Sequence, residues 1–246
     1  MNDTVAEVLD GRARWAVVHG DCLDVMRGLP SASVAVVVTD PPYGINTKSD
    51  GYGKLNPWAD LTNAALWYRE WIGEVRRLLR PDGCLWSCLN WRSLVTFQKA
   101  ACDLGWPIES LMVWHKDWIG PGGSRGLRPS YELVALWAMP DFAVKNRGVP
   151  DMQTFAWSSQ KPTGHPAEKP TALMDFCLAH STPGRVLDPF AGSGTSGVSA
   201  LNGRRPFVGI EIDGEWAESA RRRIADAAAQ GNLFHDETAA RGGGGE

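Results

Sequence analysis

The clearest pattern along the chain is the run Val34 to Thr39, continuously apolar and β-branched, as expected of a strand covered on both faces. Shorter strand patterns precede and follow it. Trp15 to His19 ends at Gly20-Asp21, and a helical turn from Cys22 to Gly28 is stopped by Pro30. Residues Gly44 to Asn56 are polar, glycine-rich and aperiodic, and read as a long loop. Asp60 N-caps a predicted helix whose apolar stripe includes Leu61, Ala65, Ile72, Val75 and Leu79, with Pro81-Asp82-Gly83 ending it. Cys84 to Leu89 predicts a strand, and Trp91 to Leu104 a helix closed by Gly105. Ile108–Trp114 and Tyr131–Met139 are strand-like, separated by Gly120 to Gly126, which cannot be regular. Residues Asp141 to Gly164 are polar and turn-rich. Pro170 at N1 opens a helix from Thr171 to His180. The last third predicts a strand at Arg185-Val186-Leu187, a glycine loop and a helix to about Leu201. A strand over Phe207–Ile210, a helix from about Asp213 and a frayed tail over 236–246 complete it.

Strands alternating with helices imply one α/β domain over 1–246 with a mostly parallel sheet. The rhythm is lost over 115–165, which reads as an insertion.

Composition changes this picture little. The chain has 246 residues, enough to bury a full core, and 43% hydrophobic and 22% charged residues, ordinary for a soluble globular protein. No apolar stretch approaches the ~20 residues of a membrane span, and the N-terminus lacks an export pattern, so a cytoplasmic protein without membrane association is expected. The five cysteines, Cys22, Cys84, Cys88, Cys102 and Cys177, form no Cys-x-x-Cys pair and read as reduced thiols, Cys84 and Cys88 on the same face of a strand. No metal is expected. The net charge of −3 does not announce a nucleic-acid binder, yet residues 116–169 carry seven basic and five acidic side chains, +2 against a negative remainder.

Two fragments carry the chemistry. Asp40-Pro41-Pro42-Tyr43 directly follows the apolar run, and Asp188-Pro189-Phe190-Ala191-Gly192-Ser193-Gly194-Thr195 follows a strand and opens a helix. Glu211, 23 positions after Asp188 at the end of the next strand, is placed to accept ribose hydroxyls in the general dinucleotide-fold plan. A P-loop would need a lysine after the second glycine, where Thr195 and Ser196 stand, so ATP is disfavoured.

Together, and in this order, the fragments resemble the amino-group (N6-adenine/N4-cytosine) DNA methyltransferases. They match the permuted beta class, in which the catalytic motif precedes the cofactor loop. The resemblance spans roughly 15–225, excluding 115–165. It implies a Rossmann-like fold in circularly permuted order and S-adenosylmethionine as cofactor. By resemblance, Asp188, Phe190, Gly192, Ser193, Gly194, Thr195, Glu211 and Ile212 form the cofactor half. Asp21 and Cys22 make the adenine-contacting turn, with the alternative that Asp21 is only an N-cap. Lys169, within His165-Pro166-Ala167-Glu168-Lys169-Pro170, grips the methionine carboxylate.

An exocyclic amine is a poor nucleophile because its lone pair is delocalised into the base. The Asp40 carboxylate and the Pro41 carbonyl, stiffened by Pro42, would accept its hydrogens, and Tyr43 would stack the base. Carbon-5 cytosine chemistry needs a cysteine after proline, and none of the five follows one. The base must be flipped out of duplex DNA, repaid by contacts from Lys48, Lys54, Arg125, Arg128, Lys145 and Arg147. Trp118 and Trp157 are further recognition candidates, whereas Trp15, Trp67, Trp71 and Trp86 read as core. The 115–165 region would recognise the target. Asp-Pro-Pro-Tyr favours adenine over N4-cytosine. An RNA or protein amide methyltransferase and a catalytically dead DNA-binding module are the weaker alternatives, and the resemblance allows a homodimer.

Overall fold

The computed structural model describes residues 3–43, 61–120, 126–157, 163–165 and 167–241. The loop expected at Gly44–Asn56, the Asp60 cap, Lys48, Lys54 and Arg125 lie outside them. The elements in chain order are α1 (Asp3–Leu9), β1 (Trp15–His19), α2 (Cys22–Arg27), β2 (Val34–Thr39), α3 (Leu61–Leu78), β3 (Leu79–Leu89), α4 (Leu94–Asp103) and β4 (Ser110–His115). They continue with β5 (Tyr131–Ala138), β6 (Met152–Thr154), α5 (Thr171–Ala179), β7 (Val186–Asp188), α6 (Thr195–Asn202), β8 (Phe207–Glu211) and α7 (Gly214–Arg241).

One eight-stranded sheet runs in the order β1-β8-β7-β2-β3-β5-β4-β6. Pairing is parallel from β1 through β3, and β5 runs antiparallel to both β3 and β4. Every residue of β2 is buried, as its unbroken apolar run requires. On one face, Trp71, Ile72, Val75 and Leu78 of α3 pack with α2 and α4 against Val37, Leu85, Leu89 and Trp137. On the other, Leu173, Met174 and Cys177 of α5 join Ala200, Ala220 and Ile224 over Val36, Trp86, Val134 and Leu136. At roughly 1.5–3 kcal/mol for each large apolar side chain buried, these two layers hold the sheet between helices.

Four expectations need correction. The 115–165 stretch is not an insertion as a whole, because β5 lies inside it and sits between β3 and β4 in the body of the sheet. The βα rhythm is lost there because β4 and β5 pair antiparallel, with no crossover helix among the described residues between them. Pro81-Asp82-Gly83 does not terminate α3. The helix stops at Leu78, Leu79 already pairs with Val34, and the ladder resumes at Cys84↔Val36, so the turn residues bulge within β3. Pro170 is the N-cap of α5 rather than its first helical residue. The backbone of α7 continues through Arg241, into the stretch expected as a tail; residues 242–246 lie outside those described. Helix α1 is additional, with Val5 and Val8 buried against the first core layer.

Trp71 and Trp86 are buried, while Trp15 and Trp67 pack partly buried against the two layers. Cys84 and Cys88 face the same layer, all five cysteines are free, and only Cys102 is exposed. Among the described residues, no helix is long and apolar enough to cross a membrane.

Candidate active site

A doubly wound sheet opens a crevice where successive connections leave in opposite directions. Here the chain passes from β7 through α6 to β8 on one side, and from β2 through α3 to β3 on the other. The neighbouring strands β2 and β7, parallel with Val37 opposite Leu187, therefore end at such a point. Asp40 follows β2, the glycine loop follows β7, Glu211 ends β8 and Gly20-Asp21 follows β1. Residues more than a hundred positions apart share one end of the sheet because four parallel strands finish there.

The two motifs are bonded to each other. Asp188, 4% exposed, accepts from Thr39 Oγ1 at 2.5 Å, from the Phe190 N–H at 3.0 Å and from the Ser196 hydroxyl. Thr39 immediately precedes Asp40, so the carboxylate of the cofactor loop fixes the start of the catalytic turn. Burial pushes the Asp188 carboxyl up to about 6, against the hydroxyl and N–H donors that favour its charge. Its three bonds tie β2, the loop backbone and α6 to one carboxylate, which makes it an organiser of the loop.

Gly192 and Gly194 adopt positive φ of 48° and 79°, and a Cβ on Gly194 would lie 3.1 Å from Ala220 Cα. Glu211 is buried, with Oε2 accepting from Gly192 N at 2.8 Å and Oε1 from Asp213 N at 3.0 Å. Burial raises its carboxyl above the ordinary range, and those N–H groups oppose the rise. Each oxygen keeps a lone pair for a further donor. Arg223 of α7 donates to Ser193 O at 3.2 Å and Thr195 Oγ1 at 3.0 Å, and pairs with buried Glu168 at 2.9 Å. The Ser193 and Thr195 side chains thus serve the loop's own framework. Phe190 packs against Trp67 and Trp71, 5.7 Å between centroids in each case.

At the first turn, Asp21 is the N-cap of α2, its Oδ1 accepting from Leu23 N at 2.8 Å and Asp24 N at 3.3 Å. Asp21 therefore caps the helix while remaining exposed. Cys22, the next residue of the turn, opens α2. Its thiol is buried in the first core layer, and desolvation pushes it up to about 12. Ile212, beside Glu211, is 63% exposed and apolar.

In the catalytic turn Pro41 is buried and Tyr43 half-buried. The Tyr43 hydroxyl donates to Asp40 Oδ1, the Lys169 ammonium to Asp40 Oδ2, and the Tyr68 hydroxyl to the Pro42 carbonyl. Lys169 also stands 3.6 Å from Glu132 Oε2 and 5.9 Å from the Tyr43 ring centroid. Burial opposes its charge, but Asp40 and Glu132 outweigh this and hold the ammonium above the ordinary lysine range. The residue expected to face the cofactor is therefore seated on the Asp40 carboxylate.

Of the basic residues proposed for DNA, Lys145 and Arg147 are exposed. Arg128, also exposed, donates two of its five N–H groups, to Gly120 O at 2.7 Å and Ile119 O at 3.2 Å, where it braces the β4–β5 hairpin. Trp118 and Trp157 stack on each other, centroids 4.2 Å apart and planes 28° apart. Sequence reasoning missed Thr39, Tyr68, Glu132 and Arg223. Glu132 alone left a signal, as a charge inside the apolar strand Tyr131–Ala138. Among the described residues, no three His, Cys, Asp or Glu side chains cluster as metal ligands.

Comparison with known proteins agrees with this architecture. The profile of the N6/N4 methyltransferase family, described as DNA methylase, matches residues 34–222. The DNA adenine methyltransferase YhdJ of Escherichia coli (strain K12) is 28% identical over 250 residues, covering 87% of this chain and 84% of its own. The M1.HpyAVI–SAM complex superposes with a TM-score of 0.65 at 25% identity, over 85% of this chain and 99% of that one. The cytosine-N4-specific PvuII DNA methyltransferase shares the fold at 17% identity, with a TM-score of 0.72 over 89% of this chain and 93% of its own.

Proposed function

This chain belongs to the N6/N4 DNA methylase family, and on that footing we propose that it methylates the N6 amine of adenine, flipped out of duplex DNA, using S-adenosylmethionine. The observation that carries the reading is the join at the crevice. Thr39–Asp188 locks Asp40-Pro41-Pro42-Tyr43 beside the glycine loop and Glu211.

The crevice residues suit this cofactor. Gly192 and Gly194 allow close backbone approach, Glu211 is pre-aimed with acceptor capacity left for a diol, and no lysine stands in the loop for a phosphate. Exposed Ile212 and the Asp21 turn flank it as candidates for an adenine ring and its amino group. When bound, S-adenosylmethionine supplies an electrophilic methyl group on a sulfonium.

The chain's own work is to make an amine nucleophilic. Asp40 has four acceptor sites; Tyr43 and Lys169 occupy one on each oxygen and fix the carboxylate's plane. The remaining sites and the Pro41 carbonyl can accept both amine hydrogens, turning the nitrogen lone pair out of conjugation. Tyr68 holds the turn through the Pro42 carbonyl, so orientation is set before substrate arrives. An ammonium has three donors, so Lys169 can serve a methionine carboxylate while keeping Asp40. Arg128, on the β4–β5 hairpin at the crevice end, and the Trp118–Trp157 pair beside it are the proposed DNA contacts among the described residues, whereas Lys145 and Arg147 follow β5 where it finishes, at the opposite end of the sheet.

Aspartate at the head of the tetrapeptide and the similarity to YhdJ support adenine over cytosine. The test is to incubate the protein with labelled S-adenosylmethionine and plasmid DNA, digest to nucleosides and identify the product by mass spectrometry. N6-methyladenine is expected. N4-methylcytosine would replace the base assignment, and label appearing only in an RNA control would overturn the substrate.

A further inference from the structure

Glu132 is the second residue of β5, on the same strand face as Val134 and Leu136, which belong to the buried layer under α5. A carboxylate there is costly unless cations answer it. Two do. Lys116, just past the end of β4, donates to Oε1 at 2.5 Å, and Lys169 stands 3.6 Å from Oε2. Oε2 is buried and takes no hydrogen bond among the described residues. Lys116 alone would satisfy a purely structural charge. The second cation belongs to the catalytic turn, because the same ammonium donates to Asp40.

Topology explains how Glu132 reaches the site. β5 is antiparallel to β3, with Leu133 opposite Leu89, so β5 begins at the end of the sheet where β2 and β7 finish. The result is an alternating row, Lys116–Glu132–Lys169–Asp40, of zero net charge.

We propose that Glu132 is a positioning residue for methyl transfer. It shares the Lys169 ammonium with Asp40, so that Asp40 is oriented without its acceptor capacity being saturated. With Glu132 neutralised, Lys169 stays on Asp40 with its charge no longer shared, and the stronger pull of the ammonium on that carboxylate weakens it as an acceptor of the amine hydrogens. The inference rests on the function proposed above and concerns kcat, since Glu132 touches neither Glu211 nor the glycine loop.

The test compares wild type with Glu132→Gln, which keeps shape and removes charge, and Glu132→Asp, which keeps charge on a shorter reach. Methyl transfer to DNA is measured at saturating substrates, with cofactor affinity from equilibrium dialysis and thermal melting alongside. Glu132→Gln is expected to lower kcat about tenfold to hundredfold. Its cofactor affinity should stay within about twofold of wild type, because uniform binding is untouched. Glu132→Asp should fall between the two. Wild-type kcat in the glutamine variant, or equal losses in both variants, overturns the positioning role. If the glutamine variant does not fold, the aspartate variant decides: reduced kcat at retained cofactor affinity supports the role, and wild-type kcat overturns it. A wild type that methylates no DNA overturns the proposed function itself, a result separate from any difference among variants.

Discussion

The two ends of the crevice are built on different principles. At the cofactor end, Asp188, Glu211, Ser193 and Thr195 are held by backbone N–H groups, hydroxyls and Arg223, and all four are buried. At the hairpin end, Leu127 is 99% exposed, and Arg128, also exposed, braces carbonyls of its own hairpin. On the proposed function the first end would bind a small ligand of fixed shape and gain from preorganisation, and the second would meet DNA with side chains still open to solvent. Between them lies Asp40, tied through Thr39 to the first end and through Lys169 and Glu132 to the second.

Substitutions should separate these regimes. The largest effect is expected at their junction: Asp40→Ala should lower kcat by about 10²–10³-fold or more, since it removes an acceptor used in the transition state. Cofactor affinity by dialysis should remain near wild type; unchanged turnover would remove Asp40 from the mechanism. Next, Gly194→Ala places a side chain at φ 79° against Ala220 backbone. A loss of about 1–3 kcal/mol in stability is expected by denaturant titration, with cofactor binding falling in step. A fully stable variant would show that the loop is less rigid than its bonding implies.

Glu211→Ala should weaken cofactor binding by about tenfold to hundredfold, the range of a charged hydrogen-bonding partner, with kcat at saturation little changed. A purely kinetic defect would move Glu211 out of the cofactor end.

The pH response should run the same way. The Asp188 carboxyl, at about 6 when folded against 3.8 ordinarily, binds more protons in the folded state between those values. Its stabilising contribution is present below pH 3.8 and is lost as pH rises through about 6, on the order of 2–3 kcal/mol in total. Asp188→Asn abolishes this dependence, so variant Tm minus wild-type Tm should climb from pH 4 to about 6.5 and then level. A flat difference would place Asp188 in a more solvated setting.

The smallest effect belongs to the hairpin end. Replacing Arg128 by Ala should weaken DNA binding uniformly across sequences and reduce the salt slope by about one. A change confined to one recognition sequence would make Arg128 a base reader instead.

Much of the parallel half could be read from local pattern. The β2 run, the glycine loop and the spacing to Glu211 each express a requirement met within a few residues of chain, whether burial on both faces, positive φ or a strand end. The hairpin half could not be read in this way. A strand such as Tyr131–Ala138 carries the same apolar signal wherever it docks, and the loss of βα rhythm around it looked like an insertion when it marked antiparallel pairing. Lys169 shows the limit most sharply. Its segment was recognisable, but its partner Asp40 lies 129 positions away.

By itself, then, the amino-acid order determined which residues can do chemistry and which end of a strand each must occupy, because propensity and spacing are local properties. Only the tertiary structure decided which charges face one another. That depends on strand order and direction, which bring β5 back to the site and set Glu132, Lys169 and Asp40 in one row.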